Sequence, residues 1–370
     1  MVWSPPYSTL LPTLFPYTTL SDLKLAKIKN FKHKIIEKEG SIPIKHKLRG
    51  VPFSVREELE EELNKLCSQG IIEPIEASIW LSPLVVARKR DGKLRVCVDL
   101  RSLNKEIWVD SHPLPRLEDL FAKIGEAKVF TKLDLAAAYH QIELHPDSKH
   151  LTAFISPIGM FQYRRMPFGL ASAASAFQRV MGQLLKGMEG VVVFQDDVLI
   201  FGNDHGVHNR RLRKVLSIFS EQGVVLKREK CHIACEKVEY LGHVISKDGI
   251  QPRPGLMESI TKSPPPKDKT GVKSFLGMCE FYSKFVPNFA TIVKPISNLL
   301  RFGYKFQWDE HCENAFVEVK RMLKEGEALQ PFDPSLVCNI TVDASKVGLG
   351  ALLTQVNGKN ERTVAFASRV

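Results

Sequence analysis

The stretch Val191-Val192-Val193-Phe194-Gln195-Asp196-Asp197-Val198-Leu199-Ile200-Phe201 constrains this chain more than any other. Two short apolar runs, rich in β-branched residues, flank a pair of adjacent acids. Runs of that length and composition form buried strands. The simplest fold for the stretch is a β-hairpin with Asp196 and Asp197 at its tip. Two carboxylates that close do not both stay ionised cheaply unless a cation neutralises them, and hard oxygen donors at that density suit Mg²⁺. Asp is also a common turn residue, and turn chemistry alone accounts for the pair. A third acid changes the reading. Val129-Phe130-Thr131-Lys132-Leu133-Asp134 reads as a second strand ending in a carboxylate. Acids on strand ends can place two metal ions about 3.5–4 Å apart, the arrangement that clamps the attacking and leaving oxygens in phosphoryl transfer.

The 370 residues suffice for two or three domains and a sizeable core. A hydrophobic content of 44% and a charged content of 25% are ordinary for a globular protein. The net charge of +11 suits a polyanionic partner such as nucleic acid. No apolar run is long enough to span a bilayer, so no membrane partner is expected. The seven cysteines are scattered, and Cys231 and Cys235 lack the second pair that a zinc set needs. Free thiols in a reducing compartment follow. The first stretch, to about Leu23, has no basic leader and is interrupted by Pro5, Pro6, Pro12 and Pro16. That argues against a secretory signal; disorder, or sequence foreign to the domain, is expected there.

Order is expected to begin near Phe53. Ser54-Val55-Arg56-Glu57 fits a capping box, Leu59, Leu63 and Leu66 recur at helical spacing, and Gly70 stops the helix. Asp91-Gly92 between two strand-like runs is a hairpin signal. Arg88, Lys89, Arg90, Lys93 and Arg95 crowd its tip, either as a solvated end or as a cationic flap over phosphates. Pro115 to Ile124 reads as a short helix, Leu135 to His140 as a tight helical turn, and Phe161 to Leu170 as a strand entering a loop. Helices follow from Ser172 to Met188 and from His208 to Gln222, stopped by Gly190 and Gly223. Val238 to Ile245 is hairpin-like. Pro264-Pro265-Pro266 marks a linker, with helices beyond it at Val272–Phe285 and Glu310–Lys324. Two strands, Cys338 to Ser345 and Gly348 to Leu353, close the reading.

These segments together resemble the reverse transcriptase of gypsy-type LTR retrotransposon Gag-Pol polyproteins. Leu133-Asp134-Leu135-Ala136-Ala137-Ala138-Tyr139-His140-Gln141-Ile142 is similar to that family's first catalytic motif. Met166-Pro167-Phe168-Gly169-Leu170, through Phe177-Gln178-Arg179-Val180-Met181, resembles its template and nucleotide motif. Phe194-Gln195-Asp196-Asp197 stands where the family has aromatic-x-Asp-Asp. Val98-Asp99-Leu100-Arg101-Ser102-Leu103-Asn104-Lys105 resembles the fingers signature, and Tyr240-Leu241-Gly242-His243 the primer grip. Phe275-Leu276-Gly277-Met278 to Ala290 resembles the connection region. The resemblance runs from about residue 40 to the end, with the motifs in the family's order.

The resemblance implies an α+β right-hand polymerase fold with fingers, palm, thumb and connection, followed by the first strands of an RNase H-like domain. It divides the chain into a disordered or foreign segment (1–39), fingers and palm (40–245), thumb and connection (246–332) and a truncated RNase H-like start (333–370). It implies an RNA-directed DNA polymerase in which Asp134, Asp196 and Asp197 hold two Mg²⁺ ions, Mn²⁺ substituting. Tyr139 would be the steric gate against a ribose 2′-hydroxyl. Lys89 and Arg95 would grip the triphosphate, with Arg88 the alternative to Lys89. Phe168 and Gln178 would face the nascent pair and the template, and Lys230 would be a late basic or acid group. The partners implied are an RNA or DNA template with its primer, dNTPs and other Pol products, in the cytoplasm within a virus-like particle. Asp343 and Gly348-Leu349-Gly350-Ala351 resemble the start of RNase H, and with one acid no ribonuclease H activity is expected. The chain departs from the family at Phe194, where Tyr is usual, at Ala136 and Ala137, and at Cys97. The missing Phe194 hydroxyl forgoes a hydrogen bond of about 0.5–1.5 kcal/mol. The rival function is an inactive retroelement remnant that only binds nucleic acid.

Overall fold

In the computed structural model, residues 26–88, 92, 94–345, 348–358 and 360–370 are described. Their contacts divide into two units. One holds the described part of Met1–Pro115 with Lys132–Ile200 and Asn209–Ile233; the other holds Arg116–Thr131, Phe201–His208 and Ala234–Val370.

The first unit contains a five-stranded sheet in the order Ile72–Ile75, Gly159–Tyr163, Phe154–Ser156, Ser82–Arg88, Leu94–Val98. The last two strands pair antiparallel, with Leu84 opposite Val98 and Arg88 opposite Leu94. The helix Arg56–Ser68 buries Leu59 and Leu63, the periodic positions of the sequence. Its expected capping box does not form: Phe53–Val55 winds as a 3₁₀ turn, Val55 is the N-cap, and no side chain caps the helix. A one-turn lead-in moves the true helix start past Ser54. Gly70, at φ +68°, ends it as expected. The helices Ala173–Leu184 and His205–Gln222 are each close to their expected spans. Phe177, Met181, Leu216 and Phe219 join Leu59, Leu63 and Phe154 in one apolar core.

The chain before residue 40 corrects the sequence reading. Residues 26–39 are not a loose leader: Ile28, His33 and Ile35 are buried. Lys32–His33 pairs in parallel with Glu143–Leu144, and Ile36–Glu37 pairs with Ile107–Trp108. Too few apolar residues stand in sequence there to announce a strand, because each two-residue strand borrows its partner from a distant segment. Residues 1–25 lie outside the described residues.

A four-stranded sheet carries the acids, in the order Val191–Phe194, Asp197–Gly202, Val129–Asp134, His232–Cys235. In the second unit, Lys237–Tyr240, His243–Ser246 and Gly249–Pro252 form an antiparallel meander. The helices Lys269–Glu280 and Glu310–Glu325 are capped by Asp268, which accepts from Gly271 N at 2.6 Å, and by Asp309, which accepts from Cys312 N at 2.8 Å. Phe275 and Phe316 bring these two helices together, ring centroids 4.7 Å apart. The closing segment is a three-stranded antiparallel sheet, Val337–Ala344, Leu349–Asn357 and Asn360–Arg369, one strand more than the sequence reading gave. No helix among the described residues is long and apolar enough to cross a membrane. All seven cysteines are free.

Candidate active site

The acidic hairpin forms where the two apolar runs place it, with one refinement. Phe194 pairs with Asp197, so the two-residue turn is Gln195-Asp196 and Asp197 is the first residue of the returning strand. Gln195 sits at φ +54°, a left-handed position that non-glycine residues occupy at a cost of about 1–2 kcal/mol. Gln178 secures it. Its Oε1 accepts from Gln195 N at 2.7 Å, and its Nε2 donates to Val193 O at 3.1 Å. The sequence reading set Gln178 against the template. In the structure it is buried, and both ends of its amide are spent on the acidic hairpin.

Asp134 ends its strand where the chain is gripped from the other side. Its carbonyl accepts from Lys227 N at 2.8 Å, and Ala136 N donates to Val225 O at 3.0 Å. Gln141 is fully buried and ties the same two segments, donating to Ala136 O and Val225 O and accepting from Val225 N. Burial pushes the Asp134 carboxyl above the usual range. The Lys230 ammonium opposes that push, and the charges of Asp197 and Asp196 add to it. The three acids therefore lie within electrostatic reach of one another.

Two lysines meet this charge. Lys132 Nζ is 2.9 Å from Asp197 Oδ1, and Lys230 Nζ is 3.5 Å from Asp134 Oδ2. Lys132 was missed by the sequence reading, although strand alternation puts it on the same face as Asp134, two residues on. Three carboxylates with no softer donor suit a hard divalent cation. As they stand, the described residues include no group of three or more His, Cys, Asp or Glu gathered closely enough to cage one; lysines hold two of the acids instead.

Beside the acids, Ala137 at φ +45° turns the chain into the 3₁₀ segment Ala138–Gln141. This places Tyr139 against Phe168 and Phe177, at centroid separations of 5.0 and 5.7 Å. Burial raises the Tyr139 phenol pKa, and the Asp196 charge adds to the rise. Phe168 is 42% exposed. Its loop is held by a second residue that the sequence reading did not single out: Asn104 donates to Gly169 O and accepts from Ala171 N, each at 2.9 Å. The fingers signature contained Asn104, but only the fold shows what it touches.

The cationic hairpin is described in part. Lys89, Arg90, Asp91 and Lys93 lie outside the described residues, so the expected role of Lys89 falls there too. Arg95 is exposed on its strand. Arg88 is engaged already, donating to Gly92 O at 2.8 Å and Glu58 Oε2 at 3.2 Å. Asp343 is exposed on the strand Val337–Ala344, opposite Gly350.

Residues 87–245 match the family described as reverse transcriptase (RNA-dependent DNA polymerase), and residues 308–370 match an RNase H-like domain found in reverse transcriptase. The second match begins earlier than the boundary at residue 333 read from sequence. The chain is 34% identical over 326 residues to the retrovirus-related Pol polyprotein from transposon 412 of Drosophila melanogaster, covering 86% of this chain and 26% of that protein. It is 31% identical to that from transposon 297 of the same species, covering 94% and 33%. It is 30% identical to the transposon Tf2-3 polyprotein of Schizosaccharomyces pombe, covering 88% and 24%. The chain thus spans about a quarter to a third of these relatives. The fold is similar to that of the foamy viral protease-reverse transcriptase dRH in complex with double-stranded DNA, with a TM-score of 0.86 at 21% identity over all of this chain and 65% of that one. It is similar also to that protein's complex with an RNA/DNA hybrid, with a TM-score of 0.85 at 21% identity over all of this chain and half of that one.

Proposed function

Because this chain carries a reverse transcriptase domain related to those of retrotransposon Pol polyproteins, we propose that it is an RNA-directed DNA polymerase, extending a primer 3′-hydroxyl with dNTPs on an RNA or DNA template. The observation that carries the reading is the gathering of Asp134, Asp196 and Asp197 within electrostatic reach, beside the Tyr139–Phe168 pair.

In this reading Asp134, Asp196 and Asp197 hold two Mg²⁺ ions, or Mn²⁺ in their place. When bound, such ions would acidify the primer hydroxyl and take up charge on the departing pyrophosphate. The chain's own residues do the rest. Gln178 fixes the turn bearing Asp196, so the carboxylates need little reorganisation. Lys132 and Lys230 neutralise the acids, and would release them to a divalent cation held there. Tyr139 floors the sugar site, and its ring would clash with a ribose 2′-hydroxyl. Phe168, held through its loop by Asn104, offers its exposed face to the nascent pair. Arg95 meets the triphosphate, and the resemblance gives Lys89 the same task. Backbone contacts grip the template without reading its sequence.

Primer extension tests the reading. The purified chain receives an oligo(dT)-primed poly(rA) template, dTTP and Mg²⁺, with Asp196→Asn run in parallel. Extension by the parent and none by the variant is expected. Salt-sensitive binding of the primer-template by both, with extension by neither, would refute the enzyme and leave a nucleic-acid-binding protein.

A further inference from the structure

The short strand Lys32–His33 and the helix Ala173–Leu184 wall a cleft of about 180 Å³ within the first unit. On the helix, Ala176, Arg179 and Val180 stand at i, i+3 and i+4 and so share one face. Phe31, Lys32, His33 and Ile142 line the cleft as well. Ala176 presents only a methyl group, which leaves room above it. That room equals about six waters, the scale of a small ligand rather than a nucleotide.

His33 supplies a directed donor. It is 6% exposed, and its Nε2 lies 2.9 Å from Ser172 Oγ. Ser172 is 3% exposed, and its hydroxyl has no other partner among the described residues. A buried hydroxyl with one neighbour gives its hydrogen there, so Nε2 accepts. Burial, with the Arg179 charge adding to it and Asp110 opposing, holds the His33 pKa down to about 4. The ring is therefore neutral near pH 7 and carries its one proton on Nδ1. Nδ1 has no hydrogen-bond partner among the described residues. The sealed polar atoms without a partner among those residues are Trp80 Nε1 and His243 Nε2. Nδ1 is not one of them, so it keeps an opening to the cleft that His33 lines. A nearly buried N–H without an acceptor is a cost that a bound acceptor removes.

The charges around the cleft select the acceptor. Lys32 forms no ion pair among the described residues, and Glu143, opposite it in the parallel strand pair, is bonded by Lys27 at 2.9 Å. Arg179 is matched by Asp110 at 3.0 Å. One positive charge, that of Lys32, is left over. A monoanion balances it, whereas a phosphate monoester brings about one charge too many. The buried Ile142, Ala176 and Val180 offer an apolar body the rest of the surface.

We propose that this cleft binds a small organic monocarboxylate, its carboxylate on His33 Nδ1–H and the Lys32 ammonium and its apolar body against Ile142, Ala176 and Val180. The site goes beyond the polymerase reading and does not rest on it.

Nuclear magnetic resonance tests the site at His33 itself. The whole chain, with nitrogen-15 in its histidine rings, is titrated at neutral pH with benzoate, with uncharged benzamide and with phenyl phosphate. His33→Gln identifies the His33 signal by its loss. Benzoate is expected to shift the His33 Nδ1–H resonance saturably, with a Kd of about 1 mM or below. Benzamide is expected to bind at least about fivefold more weakly. Lys32→Gln alters an exposed side chain and is expected to weaken benzoate about threefold or more, with Lys32→Arg restoring it; thermal melting checks each fold. No saturable shift up to about 10 mM benzoate would overturn the site. Benzamide as tight as benzoate, or an unchanged affinity in Lys32→Gln, would overturn recognition of an anion by Lys32. Phenyl phosphate tighter than benzoate would overturn the monocarboxylate.

Discussion

Replacing Gln178 with Leu tests whether the buried amide supports the acidic turn or reads the template. The side chain makes two bonds, to Gln195 N at 2.7 Å and to Val193 O at 3.1 Å. Each is worth about 0.5–1.5 kcal/mol net, and an abandoned buried donor costs about 1–3 kcal/mol. Gln195 is only half-buried, so water recovers part of the loss there. The Val193 carbonyl sits in a strand whose register is fixed by the pairing Val193–Val198. Leu restores the volume, leaving a loss of about 2–3 kcal/mol. The turn also loses the Gln178 tether on Gln195 N while Gln195 stays at φ +54°, so Asp196 should wander. Urea unfolding followed by circular dichroism should show a lower midpoint at unchanged slope. Primer extension should fall at least tenfold, mostly in kcat, if the acids act in the chemical step as proposed. Full stability with lost extension would refute the argument and return Gln178 to the template. Full stability with full extension would remove it from the site altogether.

Lys132→Gln removes an ammonium that sits 2.9 Å from Asp197. Less positive charge there should lower the Mg²⁺ concentration for half-maximal extension by about threefold or more. A Mg²⁺ titration reads this, and a rise instead would make Lys132 a support for the metal ligands rather than their stand-in. His33 is held down to about 4, first by burial and then by the Arg179 charge, with Asp110 opposing. Its contribution is present above its ordinary pKa of about 6.5 and is lost as pH falls toward 4, at up to about 1.4 kcal/mol per pH unit. His33→Gln should flatten the urea midpoint over that window, and an unchanged slope would place the acid lability elsewhere. Asp268→Ala removes the cap of the helix Lys269–Glu280. Thermal unfolding should show a loss of about 0.5–2 kcal/mol, and Asp268→Ser should restore most of it.

Much of the fold was legible because it is written in short-range pattern. Short apolar runs marked the acidic hairpin and the strand ending at Asp134. Leu59 and Leu63 at helical spacing gave the first helix its buried face, and Gly70 and Gly223 marked the stops where a left-handed residue is needed. What the pattern missed has one cause. The strand Lys32–His33 and the Asn104 clamp on the Phe168 loop each depend on a partner far away in the chain. Local propensity carries no information about such partners.

The candidate site divides along the same line. Chemical type belongs to the sequence: three carboxylates, an aromatic beside the first, and basic residues on a hairpin. Assignment of tasks belongs to the tertiary structure. The resemblance set Gln178 against the template, yet its helix buries it under the turn of Gln195. Lys132 was one more strand residue until its ammonium met Asp197. Tyr282 was an aromatic in a connecting helix until its hydroxyl reached Gly242, forty residues away in the chain. A residue's type sets which bonds it can make; the packed chain decides which it does make, because a buried polar atom must take whatever partner the fold brings within reach.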